Sequence, residues 1–439
     1  MYDLPAGMQL PRGLDEIDAA FMTDLLRARG AISSTNSVVR QDDSDVGMTA
    51  GYFSAIKRVK CHFAEPTDAQ DSYVVKAWPE FEILPKENIR DMFVKDIRAY
   101  MFPADGFYPR PHAVLADFDA DNDQWALVME DVATFADQKL HENELTLDEV
   151  LQVVPGLVDA AVAWEGCDEG PKAEQLAELG VDFWASDQNL AIYRAVMPGG
   201  AKLFDRLTKM GDSSIIGRPT WDQVLGEGMA ELFTQKLDAF YAPARPENGA
   251  TCTLSHGDFR GDNLFFCPES VSHPDGWLVI DFQLLFRGPI PSDLAYLMTS
   301  GSVLPEVYED EGRDVVLRTF YEQFMAKTQR YPDYSWDAFL AEFAMMSTVL
   351  FVYYVGMGAA FFQAGAFENE QPMRVELGGQ GLTESDLAPD EMRKRMWWAK
   401  AFRNFRVNFA AFDHYARLST LPDNSGEMGA WVELPDHLH

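Results

Sequence analysis

A short polar segment in the second half of the chain carries the side chains best suited to chemistry. Asp258 is followed by Asn263 five positions later, and Asp281 opens an Asp-Phe-Gln triplet shortly after. Phosphoryl transfer in kinases needs such a set. One carboxylate accepts the proton of the attacking hydroxyl, while an amide oxygen and a second carboxylate hold magnesium against the phosphates. The spacing from Asp258 to Asn263 equals that of the kinase loop H-R-D-x-x-x-x-N, with Gly257 in place of Arg.

Apolar runs flank this segment and predict the strands that position it. Leu254 and the run 264–266 indicate short buried strands on either side of a polar loop, and 277–280 indicates a third strand that ends at Asp281. The two carboxylates and the amide would then converge at strand ends. Magnesium prefers oxygen ligands and keeps several waters, so two protein ligands plus phosphate oxygens suffice. An ordinary turn followed by a strand-end cap is the alternative, and the complete ordered set argues against it.

The segment resembles the aminoglycoside phosphotransferase and choline kinase superfamily, whose signature is H-G-D-x-x-x-x-N followed by I-D-[FW]. Residues 256–263 and the stretch from Asp281 to Tyr296 are similar to its ecdysteroid kinase-like branch and bacterial relatives. The resemblance implies an α+β, bilobal protein-kinase-like fold with an antiparallel-sheet N-terminal lobe and a mainly helical C-terminal lobe. It also implies ATP-dependent phosphorylation of a small-molecule hydroxyl.

The same resemblance assigns roles to single residues. It implies that Asp258 is the catalytic base, that Asn263 and Asp281 bind magnesium, and that Asp293 braces the catalytic loop. Arg260 has two interpretations: it neutralises a phosphate during the reaction, or it pairs with Asp262 or another acid of the fold.

A kinase lobe also needs a strand lysine that holds the α- and β-phosphates. Residues 72–78 form a β-favouring run with one lysine, Lys76, which we assign to the nucleotide; a solvated edge-strand lysine is the alternative. Its acidic partner belongs on the next helix, predicted over 93–101. Relatives usually have Glu there, whereas this chain has Asp96, and Glu87 is a second candidate.

A glycine-containing loop precedes Lys76. Residues 47–54 lie between two possible strands, 37–40 and 56–63, and include Gly51. Glycines allow backbone N–H groups to approach phosphate closely, so Gly51 is a candidate phosphate contact. A plain hairpin turn is the alternative.

The strand predicted over 125–132 resembles the adenine hinge of the family. Backbone groups from Met129 to Val132 are expected to read the adenine edge, and the side chains of Glu130 and Asp131 are expected to support the hinge. The expected nucleotide-binding residues are therefore Met129, Glu130 and Val132, together with Lys76, Asp96 and Gly51.

Composition bounds the remaining possibilities. The 439 residues are 47% hydrophobic and 13% aromatic, as in a folded protein of about two or three structural units. There are 70 acidic against 36 basic residues, a formal charge of −34, which argues against nucleic-acid binding through phosphate contacts. The charge either attracts a cationic substrate or simply solvates the surface.

The four cysteines show no C-x-x-C pair or regular spacing, which indicates reduced, mostly buried thiols in a cytoplasmic protein. Cys252 and Cys267 flank the catalytic loop and are candidates to lie near each other. The N-terminal residues lack the basic and apolar regions of a signal peptide.

Residues 343–367 carry no charge over 25 positions, enough to span a bilayer. Acidic flanks and internal glycines instead favour a buried helix or two helices, so no membrane association is expected.

The predicted organisation has two parts. Residues 1–130 form a nucleotide-binding lobe with a leading helix at 14–29, and residues 131–439 form a helical lobe with the catalytic loop and the acceptor site. Within the second lobe, Thr146 and Glu149 have capping-box spacing at the start of a helix over 146–164, which Pro155 kinks or divides. A further helical region is expected over 390–418.

The expected cofactors are ATP and Mg²⁺, and the expected partner is a small-molecule hydroxyl acceptor. Aromatic and Met-rich stretches at 343–362 and 392–412 favour an apolar or amphipathic acceptor of steroid, terpenoid or hydroxyacyl type. The acidic charge favours instead a cationic one, such as an aminoglycoside, choline or another amino alcohol. A pseudokinase-like binding protein is the alternative of another class.

Overall fold

Five antiparallel strands form the main sheet, in the order β1-β2-β3-β5-β4. The computed structural model describes residues 3–44, 46, 55–77, 86–102, 106–119, 121–122, 124–139, 143–187, 189–190, 235–239, 241–270, 273–300, 302–348, 404, 407–408, 410–412 and 420–423. The strands are β1 (Val38–Ser44), β2 (Ala55–Phe63), β3 (Ser72–Ala77), β4 (Ala113–Asp119) and β5 (Gln124–Glu130). Sequence patterns predicted four of them and did not predict β4.

Two helices belong with this sheet. Helix α1 (Ala19–Ala28) begins where Asp18 accepts a hydrogen bond from the N–H of Phe21, and it ends before Gly30, whose φ is +71°. The predicted helix over 14–29 is thus divided: Leu14–Glu16 form a separate 3-10 turn, because the cap at Asp18 starts the α-helix there. Helix α2 (Lys86–Ala99) includes most of the helix predicted over 93–101 and begins earlier.

Strand β3 is buried along its whole length because both faces of the sheet are covered. Tyr73 and Val75 point to the face where Leu25 and other residues of α1 pack. Side chains alternate along a strand, so Val74 and Lys76 point to the opposite face. On α2, Phe93 stacks on Trp125 of β5 with ring centroids 4.6 Å apart.

The chain divides into two compact units, and each unit combines segments that are separate in sequence. The first contains Met1–Asp137 and Phe265–Leu284, and the second contains Gln138–Leu264 and Leu285–His439. The prediction placed one boundary at residue 130 and treated each part as continuous. Residues Phe265–Leu284 depart from that scheme because they pack with the first unit, where Phe265 and Leu278 contact Val132.

Helices dominate the described residues of the second unit. They are α3 (Leu147–Ala163), α4 (Gly170–Glu178), α5 (Ser292–Thr299), α6 (Pro305–Tyr308), α7 (Asp310–Lys327) and α8 (Trp336–Met346). The sheet of the first unit and the helices of the second confirm the α+β, bilobal class with an antiparallel-sheet N-terminal lobe and a mainly helical C-terminal lobe.

Short strands hold the segment around the predicted loop. Strands β7 (Thr253–Ser255) and β10 (Phe286–Gly288) pair with each other, and β6 (Asp137–Gln138), β8 (Leu264–Phe266) and β9 (Trp277–Val279) form a three-stranded sheet. These strands confirm the expected flanks of the polar loop.

Helix α3 confirms the capping box and corrects one expectation. The hydroxyl of Thr146 accepts from the N–H of Glu149, whose carboxylate accepts from the N–H of Thr146. Pro155 lies within a helix that continues to Ala163, so it does not divide the helix.

The uncharged segment 343–367, predicted to be a buried helix or two helices, lies only partly within the described residues. Phe343, Ala344, Met345 and Met346 are buried at the end of α8, and residues 349–367 lie outside the described part of the chain, as does most of 390–418. None of the helices in the described ranges combines the length and apolar composition of a bilayer-spanning segment.

Candidate active site

Lys76 is the centre of a buried charge cluster in the first unit. It lies on β3 with 4% of its surface exposed. Its Nζ is 2.9 Å from Oδ2 of Asp96 on α2 and 3.5 Å from Oδ1 of Asp281. The structure therefore brings together three residues that the sequence analysis had selected separately, and the solvated edge-strand alternative for Lys76 is wrong.

Two carboxylates keep this lysine charged. Burial alone would lower the pKa of Lys76, because a low-dielectric surrounding disfavours the ammonium. The negative charges of Asp281 and Asp96 outweigh burial and raise the pKa above its ordinary value. Lys76 is thus a cation throughout the physiological range.

Asp96 does more than pair with Lys76. Its second oxygen, Oδ1, accepts a hydrogen bond of 3.0 Å from the backbone N–H of Phe282, next to Asp281. One aspartate thus fixes both the strand lysine and the backbone that carries the third charged group. The side chain of Glu87, the second candidate partner, lies outside the described residues.

Asp281 has an unusual backbone. Its φ is +72°, and no other non-glycine residue in the described ranges has a positive φ. Asp and Asn tolerate this left-handed conformation better than most residues. A non-glycine residue held there often marks a functional position, because the surrounding structure must impose the conformation.

The carboxylate of Asp293, at the start of α5, binds the backbone of the predicted catalytic loop. One of its carboxylate oxygens accepts from the N–H of His256 at 2.9 Å, and the other accepts from the N–H of Gly257 at 3.1 Å. Gly257 has a φ of +84°, which explains glycine where protein kinases have Arg. These contacts agree with the bracing role expected for Asp293.

Asp258 follows this turn, and its carboxylate is bonded on both oxygens. Oδ1 accepts from the hydroxyl of Tyr296 at 2.7 Å and lies 3.2 Å from Nε of Arg260. Oδ2 accepts from the amide nitrogen of Asn263 at 3.0 Å. With 6% of its surface exposed, Asp258 is a buried, oriented carboxylate rather than a turn residue in solvent.

Arg260 pairs with acids of the fold, which is the second of the two roles considered for it. Besides its approach to Asp258, its Nη1 lies 3.4 Å from Oδ2 of Asp262. The guanidinium therefore compensates two carboxylates of its own loop. Its contact with a phosphate stays a prediction.

Asn263 offers the right atom to a hard cation. Its amide nitrogen donates to the carboxylate and to the backbone oxygen of Asp258, at 3.0 and 2.9 Å. Because the nitrogen is used in this way, the oxygen is the atom that Asn263 can present to a ligand. Asn263 in the second unit and Asp281 in the first are both oxygen donors, the chemistry that Mg²⁺ requires.

The other predicted nucleotide residues are placed as follows. Met129 is buried on β5, where its sulfur accepts a 3.2 Å hydrogen bond from the hydroxyl of Tyr100. Val132 is buried just after that strand. Glu130 accepts from the backbone N–H of His112 at 2.7 Å, a support role of the kind expected. Gly51 lies outside the described residues, and adenine recognition stays a prediction.

Sequence reasoning missed the role of Tyr296, whereas it expected the side chain of Asp131 to support the hinge. Tyr296 was noticed only as the end of a motif, and nothing local indicates that its hydroxyl reaches Asp258. Asp131, after β5, is buried and accepts from Ser72 at 2.7 Å and from Arg58 at 2.5 Å. Both contacts join residues far apart in the chain.

The four cysteines agree with the predicted thiol state. The thiols are free, and three of the four are buried, as expected. The sulfur of Cys252 lies 3.5 Å from that of Cys167 in the second unit, a contact that the sequence analysis did not predict. The proximity of Cys252 to Cys267 stays a prediction.

Comparison with known families supports the motif interpretation. Residues 188–332 match the ecdysteroid kinase-like family, so the resemblance seen in the motifs is confirmed over this third of the chain. The match indicates a kinase of the phosphotransferase class. No curated protein matches the chain.

Several solved structures are similar to the chain at low identity. An aminoglycoside-3'-phosphotransferase of type VIII is 16% identical, with a TM-score of 0.40 over 74% of this chain and 98% of that one. An aminoglycoside phosphotransferase solved with GDP and kanamycin is 13% identical, with a TM-score of 0.43 over 84% and 98%. Choline kinase LicA from Streptococcus pneumoniae is 11% identical, with a TM-score of 0.39 over 83% and 92%.

Proposed function

We propose that this protein is an ATP- and Mg²⁺-dependent kinase that phosphorylates a hydroxyl group of a small apolar or amphipathic molecule. The observation that carries the proposal is the buried cluster of Lys76, Asp96 and Asp281 in the first unit. A buried strand lysine paired with an acid of the following helix is the arrangement that kinases use to hold the nucleotide phosphates.

The loop of the second unit supports the chemical half of the proposal. Asp258 orients the acceptor hydroxyl and takes its proton while the γ-phosphoryl group moves in line. Tyr296 and Asn263 fix the two carboxylate oxygens, so the base is held in one rotamer before the acceptor arrives. Such pre-organisation lowers the cost of reaching the reactive geometry.

The donor chemistry of two side chains supports the magnesium part of the proposal. Asn263 and Asp281 would hold it, since each offers an oxygen atom. When bound, the ion neutralises developing charge on the phosphates. Lys76, cationic and fixed by Asp96, supplies a second positive charge for the same phosphates.

We assign an apolar acceptor because the matched family is named for an ecdysteroid, which is a steroid. The aromatic and Met-rich stretches that favour such an acceptor lie mostly outside the described residues. In their described part, Phe343 and Met346 are buried in the helical core, where Phe343 packs against Phe412. These two residues therefore contribute to the core, and the family match carries the assignment.

A cationic acceptor is the second candidate, and the formal charge of −34 favours it. An acidic surface raises the local concentration of a positively charged substrate and speeds its association, and both effects weaken as salt increases. The two candidates therefore differ in salt dependence. For a cationic acceptor, KM should rise with ionic strength, whereas for a steroid it should stay nearly constant.

The experiment is an acceptor screen with purified full-length protein, ATP and MgCl2. Sterols, terpenoid alcohols, amino alcohols and aminoglycosides are tested for ATP consumption and for a mass gain of one phosphate on the acceptor. Asp258→Asn should remove the product, and Asp333→Asn, an exposed aspartate of the second unit, should keep it. ATP binding without phosphate transfer to any acceptor class would favour a pseudokinase-like binding protein instead.

A further inference from the structure

Two histidines and a glutamate of the first unit meet away from the phosphate-binding cluster. His112 precedes β4, Glu130 is the last residue of β5, and His273 lies in the loop between β8 and β9. One ligand atom from each, an imidazole nitrogen or a carboxylate oxygen, lies within 4.8 Å of the other two. Three separate segments thus bring metal-ligating side chains to one point.

The distances suit a small tetrahedral ion. Zinc binds imidazole nitrogen and carboxylate oxygen at roughly 2.0–2.2 Å, so two tetrahedral ligands lie about 3.4 Å apart. Nε2 of His273 is already 3.2 Å from Oε1 of Glu130. The ring of His112 is exposed, so a side-chain rotation can close the remaining gap without repacking the core.

The surroundings hold two of the three ligands in place. His273 is buried and stacks on Phe135, with ring centroids 5.3 Å apart and planes 15° apart. Glu130 is fixed by the backbone N–H of His112, which donates to Oε1 at 2.7 Å. Such contacts orient ligands before a metal arrives.

The ring of His112 lies beside that of His273. Its centroid lies 5.1 Å from that of His273. Within the described ranges no hydrogen bond is made by its ring nitrogens, so both are available to a ligand. A simple ion pair between His273 and Glu130 explains two of the three side chains and leaves this third one without a role.

We propose that His112, Glu130 and His273 form a binding site for one divalent cation of the zinc class, with water in the fourth position. Imidazole ligands select Zn²⁺, Co²⁺ or Ni²⁺ over Mg²⁺, which prefers oxygen. The ion fastens the loop between β8 and β9 to the ends of β4 and β5. The site shares Glu130 with the predicted hinge, but its assignment as a metal site does not rest on the proposed kinase function.

The test measures metal binding by the full-length protein after chelator treatment. Excess Mg²⁺ is added to occupy carboxylate sites. Zn²⁺ affinity is then measured by competition with a chromophoric chelator, and Co²⁺ binding by visible absorption. Wild type should bind one equivalent of Zn²⁺ and show a tetrahedral Co²⁺ spectrum. His112→Gln and His273→Gln should each weaken Zn²⁺ binding by at least about 100-fold, since even losing an outer contact to a metal ligand costs about 10- to 100-fold.

The matched control is His62→Gln. The His62 ring pairs with Asp42 on another part of the same sheet, so this variant should bind Zn²⁺ like wild type. His112 is exposed, and its replacement should leave the metal-free fold intact by circular dichroism. Zn²⁺ should raise the Tm of wild type and of the control but not of His112→Gln. Equal Zn²⁺ affinity in wild type, His112→Gln and His273→Gln, or no binding by wild type, would overturn the site.

Discussion

The hydroxyl of Tyr296 donates a 2.7 Å hydrogen bond to Oδ1 of Asp258, across 38 positions of sequence. The phenol is buried on α5, the helix whose first turn contains the bracing residue Asp293. One helix therefore holds both the backbone of the loop and the side chain of the proposed base.

Tyr296→Phe removes only the hydroxyl. We expect kcat to fall about three- to tenfold with KM for ATP unchanged, because the carboxylate loses one of the contacts that fix its rotamer. The free energy of unfolding should fall by about 1 kcal/mol, the usual contribution of one hydrogen bond. Steady-state kinetics and urea unfolding provide the two values. An unchanged kcat in a variant with the lower stability would leave Tyr296 a purely structural residue.

Asp258→Asn keeps the shape of the base and removes its charge. Turnover should drop by at least about 10²- to 10⁴-fold, the range for loss of a general base. ATP binding, measured by isothermal titration, should remain. Asp333→Asn serves as the control. Near-normal turnover by Asp258→Asn would disprove the assigned base.

Asp281→Asn tests the metal ligand without disturbing the backbone, since Asn also tolerates a φ of +72°. The concentration of Mg²⁺ needed for half-maximal activity should rise at least about tenfold, because a carboxylate is the stronger ligand for a hard cation. The Tm should change little, because Lys76 retains Asp96. The exposed aspartate Asp121 provides the control variant Asp121→Asn. An unchanged Mg²⁺ requirement would argue against a metal role for Asp281.

Lys76→Met leaves two buried carboxylates without their shared cation. The free energy of unfolding should fall by about 3–5 kcal/mol, the usual cost of removing one partner of a buried pair. ATP affinity should fall at least tenfold, measured at a temperature where the variant is folded. Lys60→Met on β2, whose exposed ammonium is 3.8 Å from Asp71, should change neither value appreciably. Wild-type ATP affinity in a folded Lys76→Met variant would contradict the nucleotide assignment.

Glu342 on α8 predicts a pH effect on stability. Burial is the largest influence on it and raises its pKa, although hydrogen bonds from Thr251 and Tyr334 oppose the shift. The folded state therefore holds this proton more tightly than the unfolded state. Its contribution to stability is complete below the unfolded pKa of about 4.3 and is lost as pH rises through the folded pKa.

Replacing this carboxyl by an amide should remove that dependence. The Tm of Glu342→Gln, relative to wild type, should increase between pH 4 and pH 7, because only wild type loses stability as the acid ionises. Thermal unfolding across this range checks the prediction. A constant difference for Glu342→Gln would mean that Glu342 does not titrate differently on folding.

Much of the fold and the site was predictable because the signals are local. Lys76, Asp96, Asp258 and Asp281 each stand in a run whose periodicity or spacing is visible within about ten residues. The structure pairs Lys76 with Asp96, one of the two acids expected as its partner, and also with Asp281, which was expected only as a metal ligand. The capping box was predictable for the same reason, since two residues three positions apart, Thr146 and Glu149, carry its reciprocal hydrogen bonds.

The remainder depends on contacts between distant segments. Strand β4 was missed because its register and burial come from pairing with β5. The grouping of Phe265–Leu284 with the first unit, the pairing of Cys167 with Cys252, and the bond from Tyr296 to Asp258 all join segments well apart in sequence. A hydrophobic pattern reports which face is buried but not which partner buries it.

The sharing of Lys76 between Asp96 and Asp281 has an electrostatic consequence. An ammonium with a single counter-ion would become an uncompensated interior charge whenever that carboxylate turned to another ligand. Here Asp96 holds Lys76 at 2.9 Å on its own, and Asp281 is the more distant of the two at 3.5 Å. Asp281 can therefore turn from the ammonium of Lys76 to another cation without leaving an uncompensated charge in the interior, because Asp96 still neutralises Lys76.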